Sequence, residues 1–435
     1  MARPGTHLKS FVALALIISA QISWAISKEM QDLVTLETNA NAAATRSNQM
    51  VQMEHYEIPL ALLEADVALR ANPEFMNALV FEKDGKKYVR WIINPEDTKW
   101  HKEVEKFLEK NNIKPVKKKY FEGYMTASRS YIVVDPKSGA EFSFKGSTDK
   151  TGGAWKDKQQ TWDDGQQIRL MTDFVNQQLK NQPKLENSIL LDEAIAIGIK
   201  ELDQAMIIRS YEGLTKSGKR YVPGFSIMHD KVGKALAAAN GSNDPAAFWN
   251  EHYNKPLARA LAEFMALTGM TYDSPHSQNF LVELDAKNRP TGKIVLRDYG
   301  DTYLSTEFFT AAKRTDILKK WEQDNIKVGE MKVAVGILHG NKAPTWMEMQ
   351  KDTTKNSSYD QWGRDFFAEF EKEFARQTGV NLGALQDKPE RAGNYIRQYY
   401  STTDAAGKQW TNLTKKGAQR NHLLIMSCER VLLAM

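Results

Sequence analysis

The chain runs to 435 residues, with 42% hydrophobic and 26% charged side chains and a formal net charge of +5, enough apolar material for one large core or two moderate ones. No basic run is longer than Lys117-Lys118-Lys119, which argues against nucleic acid as a partner and leaves anionic small molecules open. The single cysteine, Cys428, excludes an internal disulfide framework and reads as a buried hydrophobe rather than a nucleophile.

At the start of the chain, Arg3 and Lys9 precede the apolar stretch Phe11 to Ala20, and Ser23-Trp24-Ala25 offers small residues for cleavage after Ala25. This is the pattern of a secretory signal peptide over residues 1–25, so the expectation is export to the periplasm or the medium. An uncleaved N-terminal anchor is the alternative. No later segment approaches the roughly 18 uninterrupted apolar residues of a membrane span. Residues 26–54 are rich in Ala, Asn and Thr and predict a loosely packed helix or tether. Ile58 to Leu69 has helical periodicity, Ala78 to Ile93 reads as a hairpin around Lys83-Asp84-Gly85-Lys86, and Trp100 to Asn111 is an amphipathic helix.

A second hairpin follows, with strands Ser130 to Val134 and Glu141 to Lys145 around Asp135-Pro136-Lys137-Ser138-Gly139. Ser128-Arg129 lies just before its first strand and Lys145 closes its second, leading into a flexible loop through Gly146-Ser147-Thr148 and Gly152-Gly153. Asp164 to Leu179 is helical and carries Arg169, and Ala205 to Arg209 is a short strand. Ala246 to Thr268 is a helix with an apolar stripe through Phe248, Leu257, Leu261 and Phe264. Further helices are expected over Phe308 to Gln323, Tyr359 to Arg376 and Lys415 to Leu433. The elements group into a mixed N-terminal region (26–120), a β-rich lobe (121–215) and a mainly helical C-terminal lobe (216–435), an α+β architecture with a cleft between the last two.

Tyr272 to Leu304 carries the sharpest functional signal. His276-Ser277-Gln278-Asn279 precedes a strand from Phe280 to Leu284, Asn288 to Gly292 supplies a turn, and the return strand Ile294 to Leu296 closes on Arg297-Asp298, with Asp301 just beyond. Folding the hairpin brings Asn279 back beside Asp298. An amide and a carboxylate, both hard oxygen donors, then face one point, as a Mg²⁺ bound to nucleotide phosphates requires. Lys145 at a strand end suits a phosphate contact, because an ammonium is a compact point charge. Arg209 closes an apolar run and is a candidate acceptor of a substrate carboxylate, with Asp301 a second candidate substrate contact. Arg169 sits on the polar face of a helix, where charges are ordinarily solvated. The remaining histidines lack the spacing of zinc ligands.

The run H-S-Q-N, a hairpin and then L-R-D-Y-G-D resembles the C-terminal active-site segment of the IucA/IucC family, the NRPS-independent siderophore synthetases. The preceding W-x(3)-Y-x(2)-P-L-x(2)-A-L-x(5)-L-T-G, Trp249 to Gly269, is similar to that family's helix ahead of the histidine. The resemblance is firm over Ala246 to Leu304 and weaker over Thr126 to Arg209. It implies ATP and Mg²⁺ as cofactors and the joining of a citrate-like carboxylate to an amine or alcohol through an acyl-adenylate. Ser128, Arg129, Lys145, Arg169 and Gln278 are then nucleotide contacts, Asn279 and Asp298 hold the metal, and His276 and Arg297 serve the reacting groups. The chain lacks the family's usual S-x-R-T form around Arg129 and is shorter than its members.

H-x-x-N followed by D-x-G-D also looks like the catalytic segment of aminoglycoside-phosphotransferase-like and other atypical kinases. Asp273 is then the nearest acidic residue ahead of Asn279. An exported kinase-like phosphotransferase or effector, or a non-catalytic binder of a carboxylate-rich ligand, therefore stays open beside the synthetase. Nothing in the sequence speaks to oligomeric state.

Overall fold

The computed structural model describes residues 26–40, 50–65, 396–399 and 73–382, the last apart from breaks at 127–128, 151–156, 183, 194, 212, 273–274, 325, 338–342 and 350–356. The expected leader at 1–25, the helix expected over Lys415 to Leu433, Cys428, Asp273 and Ser128 lie outside the described residues. Among the described residues no helix is long and apolar enough to cross a membrane.

The protein is α+β, built on a curled antiparallel sheet. Its strands are β1 (Val51–Pro59), β2 (Glu64–Ala65), β3 (Val80–Lys83), β4 (Lys86–Ile92), β5 (Lys118–Met125), β6 (Ser130–Val134) and β7 (Glu141–Lys145). After β8 (Ser188–Leu190), which belongs to a second sheet, β9 (Ile195–Ile199) and β10 (Gln204–Ser210) complete it in the order β2-β9-β10-β7-β6-β5-β1-β4-β3. Alternation sorts the side chains of these strands to two faces. Tyr131, Val133, Phe142, Phe144, Met206 and Ile208 enter one apolar core, while Ile132, Val134 and Ile207 point to the other side.

A second sheet pairs β11 (Arg220–Pro223), β13 (Phe280–Leu284), β14 (Pro290–Leu296) and β8, and between them in sequence lies β12 (Met270–Tyr272), which pairs β15 (Thr302–Ser305). Phe280, Val282, Ile294 and Leu296 pack into the C-terminal core, and Leu281 and Val295 join Ile132 and Val134 of the large sheet. The two sheets therefore share an apolar seam.

Among the helices that frame this seam and the two cores are α1 (Lys28–Ala40), α2 (Lys99–Lys110), α3 (Trp162–Leu179), α4 (Lys255–Thr268) and α5 (Ser358–Thr378). α3 starts on Thr161, whose hydroxyl accepts the Asp164 amide, and lays Trp162 flat on β9. A Cβ at Gly198 would lie 2.0 Å from the Trp162 ring, so this close approach requires glycine. α4 continues from a π-helical turn at Asn250–Asn254 and ends at Gly269, φ 69°.

Several sequence expectations are met: both early hairpins, the helices at α2, α3 and α5, and the strands β6, β7 and β10. Others are corrected. Residues 28–40 are a docked helix rather than a tether, because the few apolar side chains, Met30, Leu33 and Val34, share one face and are fully buried. Ile58 belongs to β1, opposite Val89, and as far as Ala65 the expected helix gives way to strand, a short 3₁₀ turn and β2, with 66–69 outside the described residues. The helix expected over Phe308 to Gln323 breaks in two at Lys313, φ 57°. The β13–β14 turn sits earlier than expected, at Asp285 to Arg289, where the Asp285 side chain accepts the Lys287 and Arg289 amides. Ser147 and Thr148 are buried and bonded rather than loose, with Thr148 donating to the Glu96 carbonyl at 2.6 Å.

Inside β1, His55 is only 3% exposed and its Nδ1 has no partner. Burial, helped by Arg90, pushes its pKa from 6.5 down to about 4. The unfolded chain thus takes up this proton first, and stability falls as the pH drops from about 6.5 toward 4. Between pH 7 and pH 5 the loss through His55 alone is about 2 kcal/mol. The His55→Gln variant is expected to lose that much less over the interval in urea titrations, and an unchanged acid dependence would contradict it.

Candidate functional site

A cavity of about 210 Å³ opens where the seam between the sheets ends, and its lining residues are polar apart from Ile168 and Gly300. The large sheet supplies the floor. On β7, Phe142 and Phe144 face the core, so Ser143 and Lys145 face the cavity. Arg209 stands directly opposite Ser143 on β10, and Ser130 opposite Lys145 on β6. Arg129, just before β6, and Lys158, at the mouth, add two further cations. α3 contributes Asp164, Gln167 and Ile168, positions three and four apart on one helix face.

The opposite wall comes from the two ends of the β13–β14 hairpin. Phe280 pairs Leu296, and the Arg297 amide donates to the Asn279 carbonyl at 3.1 Å, so His276, Gln278 and Asn279 meet Arg297, Asp298 and Asp301 around one space. Asp298 adopts φ 67°, ψ 62°, the left-handed region that Asp tolerates better than most residues but that still costs energy. The flanking Gly300 has no room for a side chain, since a Cβ there would lie 2.7 Å from Ile168.

Ion pairs divide the cations into two kinds. Lys145 Nζ donates to Asp298 Oδ1 at 2.9 Å and Oδ2 at 3.1 Å. Arg209 donates from Nε to Glu193 Oε1 at 2.9 Å and also from Nη2, and Glu193 is fully buried. Arg297 donates to the buried Glu37 of α1 and to the Gln278 carbonyl, at 3.0 Å from Nε and 2.8 Å from Nη2. Arg129 is different. Its guanidinium, in a residue 6% exposed, donates to the Gln159 carbonyl at 2.9 Å, and among the described residues no carboxylate lies within ion-pair distance. Lys158 likewise has no carboxylate partner among them.

The two carboxylates of the loop are pushed apart electrostatically. Burial raises the Asp298 carboxyl, but Lys145 and Arg209 more than reverse this and hold it well below the usual carboxylate range. Asp301 is pushed up to about 6, first by burial and then by the charge of Asp298. Asp301 Oδ2 accepts from Asn279 Nδ2 at 3.1 Å and lies 3.8 Å from His276 Nε2. Burial lowers Arg129, and partial loss of hydration with the charges of Arg129 and Lys145 lowers Lys158, although its side chain stays exposed at the mouth. Asp298, Asp164 and Asp301 act on Arg129 in the opposite sense, as Asp298 and Asp301 do on Lys158, but among the described residues no carboxylate lies within ion-pair distance of either cation.

Of the sequence candidates, His276, Gln278, Asn279, Arg297, Asp298, Asp301, Arg129, Lys145 and Arg209 line this cavity together. Arg169 does not. It follows Ile168 by one position, about 100° around the helix, and pairs with Asp173 at 2.9 Å. Lys158, Asp164 and the two glutamates that hold arginines were not read from the sequence. Lys158 lies in the unpatterned run K-D-K-Q-Q, and only its bridge to Thr148 brings it to the site.

Among the described residues, no cluster of three or more His, Cys, Asp and Glu side chains could hold a metal. The loop does bring two carboxylates and one amide to a single wall, which is the sparse oxygen set used for a Mg²⁺ that arrives with phosphates.

No protein-family model matches the chain, and no curated protein does. Among solved structures, ATP-bound aerobactin synthetase IucA from a hypervirulent pathotype of Klebsiella pneumoniae aligns with a TM-score of 0.52 at 13% identity, covering 90% of this chain and 78% of that one. The petrobactin biosynthesis protein AsbB from Bacillus anthracis str. Sterne aligns with a TM-score of 0.56 at 12% identity, covering 80% and 64%. Aerobactin synthetase IucC of the Klebsiella pathotype aligns over 77% of this chain at 13% identity, with a TM-score of 0.47. This chain thus spans 59% of the length of IucC. The fold is that of the siderophore synthetases, in agreement with the resemblance carried by the H-S-Q-N and R-D-Y-G-D runs.

Proposed function

We propose that the cavity binds Mg²⁺-ATP and that the chain is a synthetase joining a citrate-like carboxylate to an amine or alcohol. The observation that carries this reading is the meeting, in one polar cavity, of Arg129 and Lys158, neither of which touches a carboxylate among the described residues, with a loop presenting Asn279, Asp298 and Asp301. A polyphosphate supplies the direct anionic contact that the first pair lacks, and its metal suits the second group. The fold shared with an ATP-bound synthetase supports the same reading.

In this reading the substrate carboxylate attacks the α-phosphorus of ATP, the bond to pyrophosphate breaks, and an acyl-adenylate forms. The amine or alcohol then attacks the acyl carbon, and AMP leaves as the nucleophile gives up its proton. Arg129, Lys145 and Lys158 set positive charge against the phosphates, where negative charge grows in the transition state. Arg209 and Arg297, held rigid by Glu193 and Glu37, fix the walls on either side. His276 and Gln278 present donors to the reacting centre. Asp298 and Asn279, with Asp301 beside them, would hold a Mg²⁺, which would neutralise charge on the phosphate oxygens.

Purified protein given Mg²⁺-ATP, citrate and a panel of amines is expected to release pyrophosphate. Release of ADP instead would move the assignment to a phosphotransferase. Calorimetry showing no binding at millimolar Mg²⁺-ATP would leave a non-catalytic binder of a carboxylate-rich ligand.

A further inference from the structure

We propose that Glu193 is a positioning residue that holds Asp298 in its left-handed conformation. The kinetic consequences of this role rest on the nucleotide reading, and the structural one does not. A non-glycine residue at φ 67° needs its neighbours to over-determine the backbone. Every peptide group around Asp298 is tied down accordingly. The Arg297 carbonyl accepts from Tyr272 Oη at 3.1 Å, the Asp298 carbonyl accepts from the Asp301 amide at 3.1 Å, and the Tyr299 amide donates to Glu193 Oε2 at 2.9 Å.

Glu193 is the charged member of this set and comes from the connection between β8 and β9, 106 residues away from Tyr299. Its other oxygen holds Arg209, on the floor of the cavity. One fully buried carboxylate therefore sets the spacing between the Arg209 side chain and the Asp298 backbone, and so the direction in which the Asp298 carboxylate meets Lys145. Glu37 on the far side fastens Arg297 but accepts no amide of the loop.

Replacing Glu193 alone would strand a buried guanidinium, so the informative pair is Glu193→Gln/Arg209→Met against Glu193→Leu/Arg209→Met. Both remove the two charges, and only the first keeps an acceptor for the Tyr299 amide. The Leu double variant is expected to exchange the Tyr299 amide hydrogen at least tenfold faster than the Gln variant. It should also form pyrophosphate roughly 10- to 100-fold more slowly at saturating ATP and need more Mg²⁺ for half-maximal rate, the scale at which outer partners of metal ligands act. Equal Tyr299 exchange in two folded double variants would overturn the proposal. A wild-type protein that forms no pyrophosphate would instead overturn the synthetase reading, and the exchange comparison would still decide the role of Glu193.

Discussion

Asp298→Asn is expected to abolish pyrophosphate formation, by roughly a thousandfold or more, while leaving the protein folded. The choice of Asn matters. Asn is among the few residues that accept the left-handed backbone found at position 298, so the loop keeps its shape, whereas Ala there would add strain. What Asn removes is the charge. Asp298 is held ionised by Lys145 and Arg209 against the pull of burial, and it is the carboxylate of the cavity that Lys145 grips. Without it Lys145 loses both of its hydrogen bonds to a carboxylate, at 2.9 and 3.1 Å, and a Mg²⁺ bound as proposed would lose a charged ligand. Lys145 keeps a flexible stem and some access to water, with 14% of its side chain exposed, so it can relax and the fold should survive. Circular dichroism and the thermal midpoint should stay near wild type while the pyrophosphate assay falls to background. A variant that kept most of its turnover would remove Asp298 from the site.

The parts of this site that were legible in the sequence are those fixed by local pattern. Strand alternation and turn residues put Lys145 at the end of β7, and the hairpin placed Asn279 beside the Arg297-Asp298 step. The parts that were not legible depend on distant partners. Glu37 and Glu193 look like ordinary solvated acids in their own segments. They are buried because arginines 260 and 16 residues away meet them. Residues 28–40 hold too few apolar side chains to announce a core helix, yet Met30, Leu33 and Val34 all lie on the docked face. The pairing of β1 with β5 and of β7 with β10 in one sheet is non-local, and no short window carries it. Arg169 and Lys158 show the same limit in miniature, since one helical position separates a lining residue from a solvent-facing pair, and one isolated bridge brings an unpatterned lysine to the cavity.

Arg129→Met is expected to act with opposite signs on the empty and the liganded protein. Arg129 is buried, and among the described residues it meets a single carbonyl and no carboxylate at close range. A buried charge without its counter-ion is a cost to the fold, which burial's lowering of its pKa also expresses. Methionine fills much of the same volume without charge, so the ligand-free variant should gain roughly 1 to 2 kcal/mol, as replaced buried ions often do. With nucleotide the balance reverses. Losing a desolvated, charge-assisted contact to phosphate costs roughly 3 kcal/mol or more, a hundredfold or greater loss of affinity. At an ATP concentration 100 times the wild-type dissociation constant, binding stabilises wild type by about 2.7 kcal/mol and the variant by about 0.4 kcal/mol or less. The thermal midpoints should therefore cross, with the variant melting higher without Mg²⁺-ATP and lower with it. A ligand-free midpoint that falls in the variant would mean that Arg129 has a structural counter-charge of its own. An unchanged response to ATP would mean that the phosphates lie elsewhere in the cavity.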